Sequence, residues 1–216
     1  MFTDEDMKIF QKTKVCVIGC GGLGGYIIEM LSRIGIGEIS IVDGDNFCEN
    51  NLNRQLISKE KNIGESKALE AKKRVEEINS NIKINALVEY IDKENVDRIL
   101  EGQDIVIDAL DNIETRKLLG NSAKKNKIPY IYGAIAGWYG QVSTIFPEDN
   151  TLDYIYKNKI TRGKEKDLGN PSFTPGVIAS IQVSEAIKVI LNKKNYLRNK
   201  LLYIDLLNNE YEIIEF

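Results

Sequence analysis

The stretch that most limits what this chain can fold into is Lys14-Val15-Cys16-Val17-Ile18-Gly19-Cys20-Gly21-Gly22-Leu23-Gly24. An apolar, β-branched run of strand texture leads directly into Gly19-x-Gly21-x-x-Gly24, and a helix-like segment follows from about Leu23. Glycine lets the backbone turn tightly and approach phosphate oxygens, while a helix start offers free N–H groups and the positive end of its dipole. Strand, turn and helix in that order predict that Gly19, Gly21, Gly22 and Gly24 line a nucleotide's phosphates.

The rest of the chain repeats the alternation that such a turn needs. Apolar runs at 15–18, 39–42, 82–88, 105–110 and 128–131 alternate with helix-like segments, which is the β-α-β-α pattern of an α/β fold. The runs are continuously apolar, so they predict a Rossmann-like, mostly parallel sheet covered by helices on both faces. One helix, near 65–79, sets Ala68, Ala71, Val75 and Ile78 at helical spacing and leaves Lys67, Lys72, Lys73 and Glu77 on its polar side. Thr174 and Pro175 read as the N-cap and first residue of an apolar helix through about Leu191. The tail, 201–207 and 210–216 joined at Asn208-Asn209, reads as an antiparallel hairpin. One domain is expected over 1–216: a nucleotide-binding core at 1–146, a polar crossover or lid loop at 147–174, and the late helix with its hairpin at 175–216.

Composition narrows the chemistry. A formal charge of −3 with no basic run argues against nucleic acid as the main ligand. No signal-like start is visible and no apolar stretch reads as approaching the ~18 residues of a membrane span, so the expectation is a cytoplasmic protein. Cysteine occurs only at 16, 20 and 48, without a Cys-x-x-Cys pair, which predicts neither disulfides nor structural zinc. There is no histidine, so the commonest general base and metal ligand is missing from any mechanism.

Asp43 ends the second apolar run, where a carboxylate would accept hydrogen bonds from ribose hydroxyls of NAD or ATP alike. The polar stretch from Asp43 to Gln55, with Asp45, Asn51 and Arg54 in it, is unlike a helix returning to a dehydrogenase sheet. Asp111 closes the fourth run, at the strand end where α/β sheets bind ligands, and a helix N-cap is its alternative role.

Taken in order, Gly-x-Gly-Gly-Leu-Gly, Val-Asp-x-Asp, Asn-Leu-Asn-Arg-Gln and Asp108-Ala109-Leu110-Asp111-Asn112 resemble the ThiF/MoeB/HesA adenylyltransferases, bacterial relatives of ubiquitin-activating enzymes. The resemblance covers nearly the whole chain. It implies that Asn51, Arg54, Gln55 and Lys67 contact the triphosphate of ATP, that Asp43 and Asp45 serve the nucleotide, and that Asp111, helped by Asn112, handles Mg2+. Arg54, Lys67 and Asp111 would be the catalytic set. The implied partner is a small ubiquitin-like sulfur carrier, ThiS- or MoaD-like, whose Gly-Gly tail threads beside Gly133 to Gln141, and a homodimer is implied as well. The chain departs from the family in three places. It has no cysteine before the late helix, no zinc-binding Cys-x-x-Cys pairs, and no Arg-Tyr-x-Arg-Gln near its start, where Met7-Lys8-Ile9-Phe10-Gln11-Lys12 stands. Other readings are an NAD-dependent oxidoreductase, which leaves Arg54, Lys67 and Asp111 without a shared purpose, a non-catalytic nucleotide-binding relative, and an enzyme that adenylates a tRNA-base or peptide carboxylate.

Overall fold

The computed structural model of the chain describes residues 2–157 and 169–216. Helix α1 (Asp4–Phe10) opens on a capping box from Thr3 and leads into β1 (Lys14–Ile18), α2 (Gly22–Ile34) and β2 (Glu38–Val42). A long connection reaches α3 (Lys67–Ile78), β3 (Lys83–Leu87), α4 (Val96–Leu100), β4 (Ile105–Asp108) and α5 (Ile113–Lys125). The hairpin strands β5 (Tyr130–Ala136) and β6 (Tyr139–Ile145), short α6 (Thr151–Ile155), α7 (Phe173–Ile190) and the hairpin β7 (Lys200–Asp205) and β8 (Glu210–Glu215) complete the fold.

All eight strands form one sheet in the order β3-β2-β1-β4-β5-β6-β7-β8. The first five run parallel and the last three join antiparallel, so the sheet is the expected Rossmann-like one with an antiparallel extension. Each parallel strand carries few polar residues because both of its faces are covered. Leu23, Ile27, Ile28 and Leu31 of α2, Ala71 and Val75 of α3 and Ile178, Val183 and Ala186 of α7 pack one face, with Phe10 of α1. On the other face Val96, Ile99 and Leu100 of α4 and Leu119 and Ala123 of α5 cover Cys16, Val106, Tyr130 and Tyr132.

Several boundaries differ from the sequence reading, each for a local reason. The fifth strand starts at Tyr130 and runs on to Ala136, because Gly133 to Gln141, rich in small residues, forms a β5–β6 hairpin that turns at Gly137, where φ is 60°. Residues expected as loop at 147–174 include α6, whose Leu152 and Ile155 pack on the α4–α5 side. The remainder of that segment, 158–168, lies outside the described residues. Helix α7 begins at Phe173 with Ser172 as N-cap, so Thr174 sits inside the first turn, where its hydroxyl donates to the Gly137 carbonyl at 2.8 Å. The same helix corrects the membrane reading: it is 18 residues long with mean hydropathy 1.2, enough by length and composition to cross a bilayer. Half of it is buried here, against α2, β5 and β6, as a core helix is.

Candidate functional site

In the strand order 3-2-1-4-5 the sequence of strand addition switches sides between β1 and β4, and a cleft opens at the carboxyl ends of the strands there. A cavity of about 1350 Å³ follows that edge from Tyr90, beyond β3, to Tyr203 and Glu210 of β7 and β8. At its centre the glycine turn is shaped by contact as much as by ligand. Gly19 adopts φ +101°, and a Cβ on it would meet the Ala109 carbonyl oxygen at 2.6 Å. A Cβ on Gly24 would sit 1.9 Å from the Gly19 carbonyl oxygen. Gly19, Gly21 and Gly22 line the cavity, while Gly24 is buried and lets α2 close on the turn.

Asp43, at the end of β2, accepts from the Cys20 N–H at 2.6 Å and from the Asp45 N–H at 2.8 Å, which fixes the turn and still leaves lone pairs toward the cavity. Burial, the largest effect on it, raises its carboxyl above the usual 3.8, with the two backbone donors and Lys67 pulling the other way. Two loops are zipped together beside it. Phe47 N–H donates to Glu65 O, Gly64 N–H to Phe47 O, and Lys67 N–H to Asp45 O. The pairing places Lys67, first residue of α3 and 7% exposed, against Asp45, with Nζ 2.8 Å from Oδ2. The other Asp45 oxygen accepts from the Tyr90 hydroxyl at 2.6 Å. Partial burial would raise the Asp45 carboxyl, but these two donors outweigh it and hold the group below 3.8.

The loop after Phe47 turns through a 3-10 segment at Glu49–Asn51 and presents Arg54 and Gln55 to the cavity. Asn51 builds this loop and does not line the cavity. It is 5% exposed, accepts from the Cys48 N–H, donates to Asn50 Oδ1, and takes the Arg54 and Gln55 N–H groups on its carbonyl. Arg54 donates to the Asn50 carbonyl and Asn53 Oδ1, both at 2.8 Å, and makes no ion pair among the described residues. Gln55 has a buried Oε1 with no partner, beside Gly21.

On the other side of the turn Asp111 lines the cavity, exposed and without a protein hydrogen bond among the described residues. It is not the helix cap. Asn112 is, accepting from the Thr115 N–H and hydroxyl. Asp111 is therefore open for a hard cation that keeps several waters and phosphate oxygens, which needs only one protein carboxylate. No cluster of three or more acidic, cysteine or histidine side chains able to hold a metal occurs among the described residues.

Sequence reasoning missed a buried pair beneath Asp111. Asp108, 0% exposed, accepts from Tyr130 OH at 2.6 Å and the Leu110 N–H at 2.8 Å, with Arg116 Nε at 3.8 Å. A charged residue closing a continuous apolar strand, with an arginine about one turn into the next helix, was the available signal. Arg116 donates to the Leu110 carbonyl and lies over the Tyr132 ring at 5.3 Å. Tyr90 was missed too, since only the fold brings it to Asp45. Trp138 is at the surface against Phe173, and the Cys48 thiol, exposed, points at Asn50 and Asn51.

The ThiF family pattern matches residues 1–216. The chain is 31% identical over 207 residues to the SAMP-activating enzyme E1 of Haloferax volcanii, covering 94% of this chain and 77% of that one. It is 34% identical over 214 residues to a probable molybdopterin-synthase adenylyltransferase of Porphyra purpurea, 96% of this chain and 56% of that one. It is 31% identical over 191 residues to the sulfur carrier protein ThiS adenylyltransferase of Bacillus subtilis, 87% and 57%. The chain thus spans little more than half the length of the last two. The crystal structure of E. coli MccB shares the fold at TM-score 0.82 and 21% identity, covering 97% of this chain and 64% of that one. Matched along its whole length by one family, and carrying that family's motifs around one cleft, the chain belongs to the ThiF family.

Proposed function

We propose that this chain is an ATP-dependent adenylyltransferase that activates the C-terminal glycine carboxylate of a ubiquitin-like sulfur carrier, ThiS- or MoaD-like, with release of pyrophosphate. The observation that carries the reading is convergence. Arg54, Gln55, Lys67 and Asp111, far apart in sequence, face one cavity around the glycine turn. A hydride-transfer site has no use for two cations and a free carboxylate at the phosphates. The relatives named for ThiS, molybdopterin synthase and SAMP support a carrier substrate of this class.

In the proposed reaction a carboxylate oxygen attacks the α-phosphorus, the bond to the bridging oxygen of the β-phosphate breaks, and pyrophosphate carries away the electron pair. No base is required, because an α-carboxyl with a pKa of about 3.3–3.7 is ionised at pH 7. Asp43 orients the ribose, and the N–H groups of the turn hold the phosphates. Arg54 and Lys67 meet the charge on the leaving pyrophosphate. Lys67 reaches it by exchanging its bond to Asp45 for a phosphate oxygen. Asp111 would hold Mg2+, which would supply charge neutralisation at the polyphosphate. A covalent step through a cysteine before α7 is not part of the proposal, since that stretch has none. The cytoplasm, where ATP and the carriers occur, and a homodimer complete the reading.

Exchange of labelled pyrophosphate into ATP, dependent on a carrier ending in Gly-Gly, tests it. Exchange that disappears in Asp111→Asn and Lys67→Met supports adenylation. Binding of ATP with no exchange for any carrier would leave a non-catalytic nucleotide-binding relative, and hydride transfer with NAD would replace the proposal by an oxidoreductase.

A further inference from the structure

Lys67 and Asp45 hold each other beside the glycine turn, so the pair has to open before the lysine can serve a polyphosphate. Lys67 is 7% exposed and its Nζ has one partner among the described residues, Asp45 Oδ2 at 2.8 Å, although an ammonium has three hydrogens to give. Asp45 is half-exposed and lines the cavity with Lys67. Held below the usual 3.8, it stays ionised at neutral pH. An ionised carboxylate here opposes an incoming polyphosphate twice, because it repels the anion and retains the cation.

A third residue is set against this pair with some care. Tyr90 lies just beyond β3, and its ring rests so closely on the Gly44 backbone that a Cβ on Gly44 would meet it at 2.7 Å. Its carbonyl accepts from Asn95 Nδ2 at 2.8 Å, which fixes the turn into α4. With ring and main chain held, the hydroxyl reaches Asp45 Oδ1 at 2.6 Å, the oxygen that Lys67 leaves free. The bond to Asp45, and after it the carboxylate's charge, raise the Tyr90 hydroxyl above its usual 10, so it remains the donor. Glu89, the other carboxylate at this end of the cavity, is taken up by Arg98 Nη2 at 2.8 Å and Asn95 Nδ2 at 3.0 Å. The hydroxyl therefore serves Asp45 alone. The side chain is 68% exposed, so burial of its ring does not account for the placement.

A donor on one carboxylate oxygen draws charge from the other. The hydroxyl thus loosens the hold of Asp45 on Lys67. Once Nζ has moved to a phosphate oxygen, it also leaves Asp45 with a charge-assisted hydrogen bond in place of its cation. Water replaces such a donor less well, because it has to be immobilised for the purpose. We infer that Tyr90 is a positioning residue: through Asp45 Oδ1 its hydroxyl sets how readily Lys67 passes to the phosphates beyond the first. This rests on the nucleotide reading of the cleft and adds the residue that governs its lysine. It concerns the hydroxyl, apart from any stacking on the ring.

Calorimetric titration of the full chain with ATP and with AMP provides the test, since AMP keeps the base, the ribose and the first phosphate and lacks the groups that Lys67 would meet. Tyr90→Phe keeps the ring on Gly44 and removes only the donor. It is expected to raise the Kd for ATP roughly five- to tenfold and to change the Kd for AMP by less than about twofold. In an Asp45→Asn background the same substitution is expected to leave the ATP Kd within about twofold, because no carboxylate charge remains to be shared. AMP binding reports a folded site in each variant, so loss of the fold is not mistaken for loss of the contact. An ATP Kd unchanged or lowered by Tyr90→Phe, an equal rise for ATP and AMP, or the same rise in the Asp45→Asn background would overturn the inference alone, with ATP binding by the wild-type chain upholding the nucleotide reading. Failure of the wild-type chain to bind either nucleotide would remove that reading and this inference with it.

Discussion

Two glycines of one turn illustrate how differently single residues contribute. Gly24→Ala would drive a Cβ to 1.9 Å from the Gly19 carbonyl oxygen, which is backbone and cannot swing aside. The helix must move, at a cost of about 2–3 kcal/mol or more by the usual scale of overpacking, read as a lower urea midpoint. Gly21→Ala meets only the Gln55 side chain, with Nε2 at 3.5 Å, an ordinary contact. Its methyl group faces the cavity and weakens ATP binding instead, measurable as a raised Kd. The spacing Gly-x-Gly-x-x-Gly is readable from sequence, but which glycine serves the ligand and which serves packing is a matter of contacts the spacing does not contain. Asp43 carries the pH prediction. On the proposed reading ribose hydroxyls donate to its ionised form, and its raised carboxyl means that nucleotide affinity falls, on acidification, at a pH above the 3.8 of an ordinary aspartate. Its effect on folding has the opposite sign. A carboxyl raised in the folded state binds its proton more tightly there than in the unfolded chain, so its contribution is present at low pH and lost as pH rises through the folded value. Asp43→Asn should therefore flatten the acid limb of the ATP Kd profile and remove a stability difference that changes in the reverse sense.

At the scale of elements, the start of α5 separates folding from chemistry within two residues. Asn112→Ala removes the cap that accepts from Thr115 and costs about 0.5–2 kcal/mol of stability. Asp111→Asn touches no protein partner among the described residues, so the thermal midpoint is unmoved while exchange activity falls by roughly 10² or more, the scale of losing one preorganised electrostatic group. A melt that shifted for Asp111 and not for Asn112 would reverse these assignments. The buried pair one strand-end away responds more strongly. Arg116→Met leaves Asp108 buried without its cation, at a cost of about 3–5 kcal/mol, and the double variant with Asp108→Asn recovers a large part of it. Calorimetry of the three proteins gives the coupling directly. Most strands and helices, and the parallel character of the sheet, were legible because their signal is local: apolar runs of four or five residues and a helical stripe at Ala68, Ala71 and Val75. The β5–β6 hairpin was not, since Gly133, Ala134, Ala136 and Gly140 lack strand propensity and extend only because Gln141 to Ile145 pairs with Tyr130 to Ala134. The structural share of Asn51 was hidden for a related reason: its bonds to Cys48, Asn50 and the Arg54 and Gln55 N–H groups, which hold the turn that presents Arg54, follow from the fold and not from its place beside an arginine.

For the molecule as a whole, one continuous sheet does what two domains do in other nucleotide enzymes. The five parallel strands carry the glycine turn and Asp43, proposed above to hold phosphates and ribose. The three antiparallel strands prolong the same edge, so the cleft extends past the nucleotide onto β6, β7 and β8 without a hinge. If adenosine lies over the ends of β2 and β3 and the acyl substrate over β5 to β7, the two Michaelis constants are separable by position. Tyr90, two-thirds exposed at the first end and tied to Asp45, and Tyr203, stacked on Tyr139 at 6.2 Å at the other, are the probes. With adenine over the Tyr90 ring, Tyr90→Ala would remove that stacking face and also free one oxygen of Asp45, which then holds Lys67 alone. The expected result is a KM for ATP raised about 5- to 20-fold with the carrier KM near its wild-type value, since one stacked aromatic is worth roughly 1–2 kcal/mol. Tyr203→Ala reverses the pattern, raising the carrier KM and sparing ATP. Variants that moved both constants together from either end would mean that the cavity is a single site for one ligand, and the division of the sheet's edge between nucleotide and acyl group would have to be given up.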